Sequence, residues 1–163
     1  EGSRLVREVA AMPKKDRVPI ISHWGVSGGD FAALAGPALQ AVDFSVVQTY
    51  SFVGTNRERA RQVVTAAKRL FQVEDERHIL SPVGLAHAYD LTHILALAID
   101  RAGTTSRPAV RDALEQVKNY DGLIKHYLRP FTPSRHEALG AEDVFMARFE
   151  TDGALVRVPD GGK

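Results

Sequence analysis

Residues 19–37, Pro19-Ile-Ile-Ser-His-Trp-Gly-Val-Ser-Gly-Gly-Asp-Phe-Ala-Ala-Leu-Ala-Gly-Pro37, decide how the chain folds. A short apolar run, residues 18–23, is flanked by turn residues and reads as a buried strand of the parallel type. It runs into a glycine-rich loop, Trp24 to Asp30, and then a short helix broken by Gly36-Pro37. Strand, loop and helix in that order form the opening of an α/β layer. In open α/β sheets ligands bind at the carboxyl ends of strands. His23 and Trp24, the only tryptophan, stand at that end. An indole and an imidazole there suit a small organic ligand by stacking and hydrogen bonding, and suit equally a plug on top of a core.

Upstream, residues 3–12 carry Leu5, Val6, Val9 and Met12 at helical spacing, with Ser3 as the expected N-cap. Downstream, residues 42–49 are a second apolar strand. A helix is expected over 55–73, capped by Thr55, with Val63, Val64, Ala67, Leu70 and Phe71 inward. Pro82 opens a longer helix that Gly103 closes, with Leu91, Ile94, Leu95, Ala98 and Ile99 apolar around more than half its circumference. Ser106 caps another, with Val110, Ala113, Leu114 and Val117 inward. Residues 144–150 alternate as a strand, Thr151-Asp152-Gly153 turns the chain, and 154–158 return. The tail, 159–163, is expected to be loose. Two early strands and three middle helices leave those helices without a sheet to cover.

Composition excludes several chemistries. The 163 residues are of ordinary globular composition, 44% hydrophobic and 25% charged, and the net charge is +1. That balance speaks against nucleic acid as a partner. No cysteine is present, so disulfides, thiolate metal sites and a cysteine nucleophile are out. No apolar run is expected to cross a bilayer. The chain opens at Glu1 without methionine or signal peptide, and that start is expected not to be a natural N-terminus. Ser27-Gly28-Gly29 lacks the glycine spacing of a nucleophile elbow, and Gly25 to Gly29 lacks the lysine of a phosphate loop. His87 and His93 are six apart and share no ligand face, while Asp90 lies three from each and stands within reach of a helical contact. The expectation is a protein that is not an enzyme and takes no cofactor or metal. The enzymatic alternative is a small α/β hydrolase-like domain using His23 with Asp30 or His87 with Asp90.

The 19–37 stretch resembles the second lobe of type I periplasmic binding proteins, the substrate-binding components of ABC importers of the branched-chain amino acid type. Gly84-Leu-Ala-His-Ala-Tyr-Asp-Leu-Thr-His-Ile-Leu-Ala-Leu-Ala-Ile-Asp-Arg-Ala-Gly103 resembles that family's long helix, and Ala109-Val-Arg-Asp-Ala-Leu114 the next. Asp121-Gly122 and the closing strand pair around Asp152-Gly153 match as well. The resemblance covers nearly the whole chain but only the carboxyl-terminal portion of the family. It implies an α/β fold of two lobes, parallel sheets flanked by helices, with ligand in the cleft between them. Residues 1–49 would then be a second-lobe segment, 50–141 the helical part of the first lobe, and 142–163 the returning second-lobe strands. The implied partners are a small-molecule ligand (a carboxylate, an amide or an amino-acid-like compound), an ABC permease in the membrane, and a missing amino-terminal part of the same protein. The implied place is periplasmic or extracytoplasmic. A ligand-sensing receptor of the same fold is the alternative.

The same resemblance implies ligand contacts at His23, Trp24 and Gly25, at Gly84 and Leu85, at Glu1 near the cleft, and at His87 one helical turn further on. Amino-acid-binding relatives commonly carry an acid where Trp24 stands. Without that carboxylate a ligand's ammonium loses its charge partner. A standard α-amino acid is therefore not expected; an aromatic or aliphatic carboxylate, or a neutral amide, is.

Overall fold

The computed structural model describes residues 1–159; the expectation for the tail falls, beyond Pro159, outside the described residues. The chain divides into two compact units, one formed by residues 1–83 and 144 onward, the other by 84–143.

The first unit opens with α1 (Gly2–Ala11), whose Val6 and Val9 are buried. Glu1 rather than Ser3 takes the N-cap position, since the Glu1 carbonyl already accepts from the Arg4 and Leu5 amides. Leu5 and Met12, expected on the same inward face, are exposed. Strand β1 (Ile20–His23) follows, then α2 (Phe31–Ala35), α3 (Ala38–Ala41) and β2 (Phe44–Gln48). β1 and β2 are the expected parallel pair, with Ile20 against Phe44 and His23 against Val47. Helix α4 (Glu58–Phe71) starts three residues later than the sequence pattern indicates. The Thr55 amide closes a turn onto Phe52 at 3.3 Å, Gly54 has φ +78°, and Arg57 is still extended. Val63 and Ala67 are buried as expected, whereas Leu70 and Phe71 are exposed.

The sheet is completed from far along the chain. β5 (Phe145–Phe149) joins β2 antiparallel, Val46 opposite Ala147, and β6 (Leu155–Arg157) joins β5 through the expected hairpin. The order is β1-β2-β5-β6, a mixed sheet that contains the parallel pair. Its core joins Val6, Ala35, Leu39, Phe44, Val46, Ala147 and Leu155, so α1, α2 and α3 cover one face. Phe31, Phe44 and Phe149 meet there with ring centroids 5.4–6.1 Å apart. β1 lies at the sheet edge, and its Ile21 is 72% exposed, so the strand is not the fully buried one its apolar run predicts.

The second unit is built on α5 (Pro82–Ala102), whose bounds agree with the proline and glycine that mark them; Gly103 follows in the left-handed region, φ +62°. Ile94 and Ala98 pack on Val110 and Ala113 of α6 (Arg107–Leu114) and on Val117. Leu91, Leu95 and Leu97 are exposed, so α5 carries an apolar face that its own unit leaves open. At 21 residues α5 is also long and apolar enough to cross a membrane by length and composition, contrary to expectation, a test that core helices pass too. Two strands unmarked in the sequence pattern, β3 (Tyr120–Asp121) and β4 (His126–Tyr127), form a small antiparallel pair.

Asp90 ties this unit together. Its side chain is buried, at 1% exposure, and accepts hydrogen bonds from the Leu123 and Ile124 amides at 2.5 and 2.9 Å and from the Tyr127 hydroxyl at 3.0 Å. Burial, together with this carboxylate, holds the Tyr127 phenol far above its usual range. The buried charge is thus met by donors rather than by a cation. Gly122 makes room for it, since a Cβ there would stand 2.6 Å from the Tyr127 ring and 2.7 Å from the Asp90 carboxylate. Gly122→Ala is expected to lower the unfolding free energy by about 2–3 kcal/mol, by overpacking against a carboxylate that cannot retreat without losing its donors. Urea unfolding of the variant checks this, and an unchanged midpoint would contradict it.

Candidate functional site

β1 delivers His23 and Trp24 to the carboxyl end of the parallel pair, where a 3-10 turn, Trp24–Ser27, replaces an open loop. The two rings stack with centroids 4.0 Å apart and planes 22° from parallel. His23 Nδ1 accepts from the Gly25 amide at 3.0 Å. Gly25 permits this closeness, because a Cβ there would approach His23 Nδ1 to 3.0 Å. The Ser27 hydroxyl donates to the Trp24 carbonyl at 2.5 Å, and the Ser27 carbonyl accepts from the Ser81 amide at 2.9 Å. The turn is therefore tied to the residues that precede α5.

Glu1 reaches the same end of the sheet. A Cβ on the adjoining Gly2 would meet the Phe31 ring at 3.2 Å and Val26 at 4.0 Å, so α1 begins against the turn that Trp24 opens. Glu1, His23, Trp24 and Gly25 are thus gathered within the first unit. Gly84, Leu85 and His87 fall in the second unit, in the first turns of α5. Burial pushes the His87 imidazole below its ordinary range, against the opposing pull of Asp90.

A cavity of about 600 Å³ adjoins the Trp24 turn on its Ser27–Asp30 side, wholly inside the first unit. Its walls come from α2 and α3, residues 51–53, residues 76–82 and the β5–β6 hairpin. Leu39, Phe52, Ile79 and Leu155 make it apolar inside, and Asp30, Glu76, Arg77 and Asp152 bring charge to its lining. Trp24 and His23 do not line it. Sequence reasoning missed this convergence, which joins four stretches that share no local motif. Arg77 Nε donates to Asp152 Oδ2 at 2.7 Å and so clasps residues 76–78 to the hairpin turn.

In the His87–Asp90 pairing of the enzymatic alternative, the Asp90 carboxylate accepts from the Leu123 and Ile124 amides and the Tyr127 hydroxyl, and its charge also acts on the His87 ring. Among the described residues no group of three or more His, Cys, Asp or Glu is placed to hold a metal ion.

Solved structures share this arrangement. A type 1 periplasmic binding protein from Bordetella pertussis superposes with a TM-score of 0.70 at 21% identity, over 97% of this chain and 44% of that one. The fold is that of the type I periplasmic binding proteins. A branched-chain amino acid transporter substrate-binding protein from Streptococcus pneumoniae, solved with isoleucine, gives 0.66 at 16% identity over 96% and 42%. A fatty acid ABC transporter substrate-binding protein from Thermomonospora curvata gives 0.63 at 15% over 96% and 38%. The chain spans less than half the length of these binding proteins. No protein-family model matches the sequence, and no curated protein does.

The clasp across the cavity has a pH signature. The hydrogen bond from Arg77 holds the Asp152 carboxyl below its usual range, helped by the Ala154 amide. A carboxyl lowered in the folded state adds stability above its unfolded pKa, and that increment disappears as the pH falls through the folded value. Asp152→Asn keeps an acceptor for Ala154 and loses the charge. The variant is expected to be less stable than the parent at pH 7, by a margin that shrinks as the pH falls below the ordinary aspartate range. Urea midpoints across an acid titration read this, and a margin that does not shrink in acid would contradict it.

Proposed function

We propose that the chain is part of an extracytoplasmic solute-binding protein, which captures a small organic molecule and hands it to an ABC permease in the membrane. The observation that carries this reading is the Trp24 turn. It stands at the carboxyl end of a parallel strand pair, presents stacked rings on one side, bounds a cavity on the other, and lies in a fold shared with binding proteins. Binding needs only that the ligand favour one state of the receptor over another.

On this reading residues 1–49 and 142–163 belong to one lobe and 50–141 to the other, with the rest of the two-lobed protein lying outside these residues. Glu1, His23, Trp24 and Gly25 contact ligand, as do Gly84, Leu85 and His87 by the family resemblance. The fold does not dictate the ligand: the Streptococcus protein was solved with isoleucine and the Thermomonospora protein serves a fatty acid transporter. An indole at position 24 leaves an amino acid's ammonium unmatched in the turn, so the ligand is not a standard α-amino acid.

The natural protein that contains these residues is the sample for a thermal-shift screen of amino acids, carboxylates, amides and amines. A compound other than an amino acid is expected to raise the melting temperature saturably; about 2.7 kcal/mol of stabilisation corresponds to ligand at 100 times its Kd. Trp24→Ala is expected to weaken that compound's binding. Tight binding of leucine or valine would overturn the ligand assignment, and silence across the whole screen would overturn the receptor assignment.

A further inference from the structure

The cavity has a charge that the chain as a whole does not. Net charge over the full sequence is +1, yet the lining contains four carboxylates, Asp30, Glu76, Glu150 and Asp152, against one arginine, Arg77. Arg77 is paired with Asp152 through Nε, and that hydrogen bond, with the nearby charges of Asp152, Glu150 and Asp75, holds its guanidinium above the usual range. His78, the other basic residue of the lining, turns its Nδ1 to Asp75 at 2.8 Å. Asp30 and Glu76 carry no ion pair with any other described residue. Asp30 sits at the N-cap of α2 without using its side chain as a cap. Behind these acids the walls are aliphatic and aromatic, through Leu39, Phe52, Ile79 and Leu155.

An apolar chamber of about 600 Å³ lies within the size range of small-molecule sites, roughly 300–1,000 Å³. A carboxylate entering it would meet a surplus of like charge, whereas a cation would find two carboxylates not already committed. Arg77 already shows what this rim accepts, since the chain's own guanidinium is held there by Asp152, with the charge of Glu150 nearby. We propose that the cavity binds a small molecule with an apolar body and a cationic head of ammonium or guanidinium type, the head lying at Asp30 and Glu76 and the body against Phe52, Ile79 and Leu155. This inference rests on the receptor reading and narrows it. It concerns this cavity alone, which His23 and Trp24 do not line, and leaves their own ligand contacts as proposed above. A zwitterionic amino acid gains at the ammonium and loses at its own carboxylate, so it remains a poor ligand here.

The test is calorimetric titration of the natural protein with three compounds of one shape: 3-phenylpropylamine, 3-phenylpropanamide and 3-phenylpropanoate at pH 7. The amine is expected to bind at least about tenfold more tightly than the amide, with the carboxylate weakest. Sodium chloride at about 0.5 M should weaken the amine and leave the amide unchanged. The double variant Asp30→Asn, Glu76→Gln should cost the amine about tenfold in affinity while the unliganded protein melts as before. Amide or carboxylate binding as tight as the amine's, amine binding indifferent to the double variant, or no binding by any of the three would each overturn the inference. If one of those outcomes is seen and the wider screen still finds a ligand, the cationic assignment falls and the receptor stands; if the screen is silent as well, both fall.

Discussion

Everything in the first unit hangs on one long-range pairing, β2 with β5, in which Val46 faces Ala147 and Gln48 faces Phe145. Closing so long a loop costs chain entropy that rises only slowly with length, and the pairing recovers it in buried surface. Val46 and Ala147 are almost wholly buried, and Phe44 and Phe149 join Phe31 in one aromatic cluster. The pairing also decides the site. It brings the β5–β6 hairpin beside α2 and α3, and through Arg77 and Asp152 it binds the 76–78 segment to the hairpin turn. Without that register there would be no cavity and no clasp. Residues 84–143 are then an excursion with a core of their own, anchored by the Asp90 carboxylate and the glycine that makes room for it.

One feature of the central strand stands apart from this packing. Gln48 ends β2 at 1% exposure, and its amide nitrogen and oxygen are buried without a hydrogen-bond partner among the described residues. Such a group costs about 1–3 kcal/mol, so the strand that organises the unit also carries its least satisfied side chain. Asp90 is the contrast: equally buried, but supplied with two amides and the hydroxyls of Tyr120 and Tyr127. Its spacing from His87 and His93 has the look of chemistry in the sequence, and its hydrogen-bond donors turn out to lie on either side of Gly122, far along the chain.

Local chemistry was legible and convergence was not. Pro82 and Gly103 bound α5 because a proline suits a first turn and a glycine takes the left-handed turn that ends it. Thr151-Asp152-Gly153 marks the hairpin for the same kind of reason, and Trp24 beside the glycines marks the strand end. Thr55 misled because a hydroxyl before an amphipathic stretch resembles a cap, while Gly54 and a turn onto Phe52 delay the helix. Leu70 and Phe71 misled because periodicity identifies an apolar face and not what covers it. Strands as short as β3 and β4 leave no period to read. Asp30, Glu76 and Asp152 were invisible as a set, since only the β2–β5 register brings their segments together.

The central claim is that the first-unit cavity holds a small organic molecule. Native mass spectrometry of the natural protein, purified without unfolding, tests it most directly. The account predicts a stoichiometric small molecule that is released on denaturation and is diminished in Ala33→Trp, in which an indole is added to the cavity's lining. Protein that carries no such molecule and gains none from the ligand screen, or an Ala33→Trp variant that retains it undiminished, would contradict the claim.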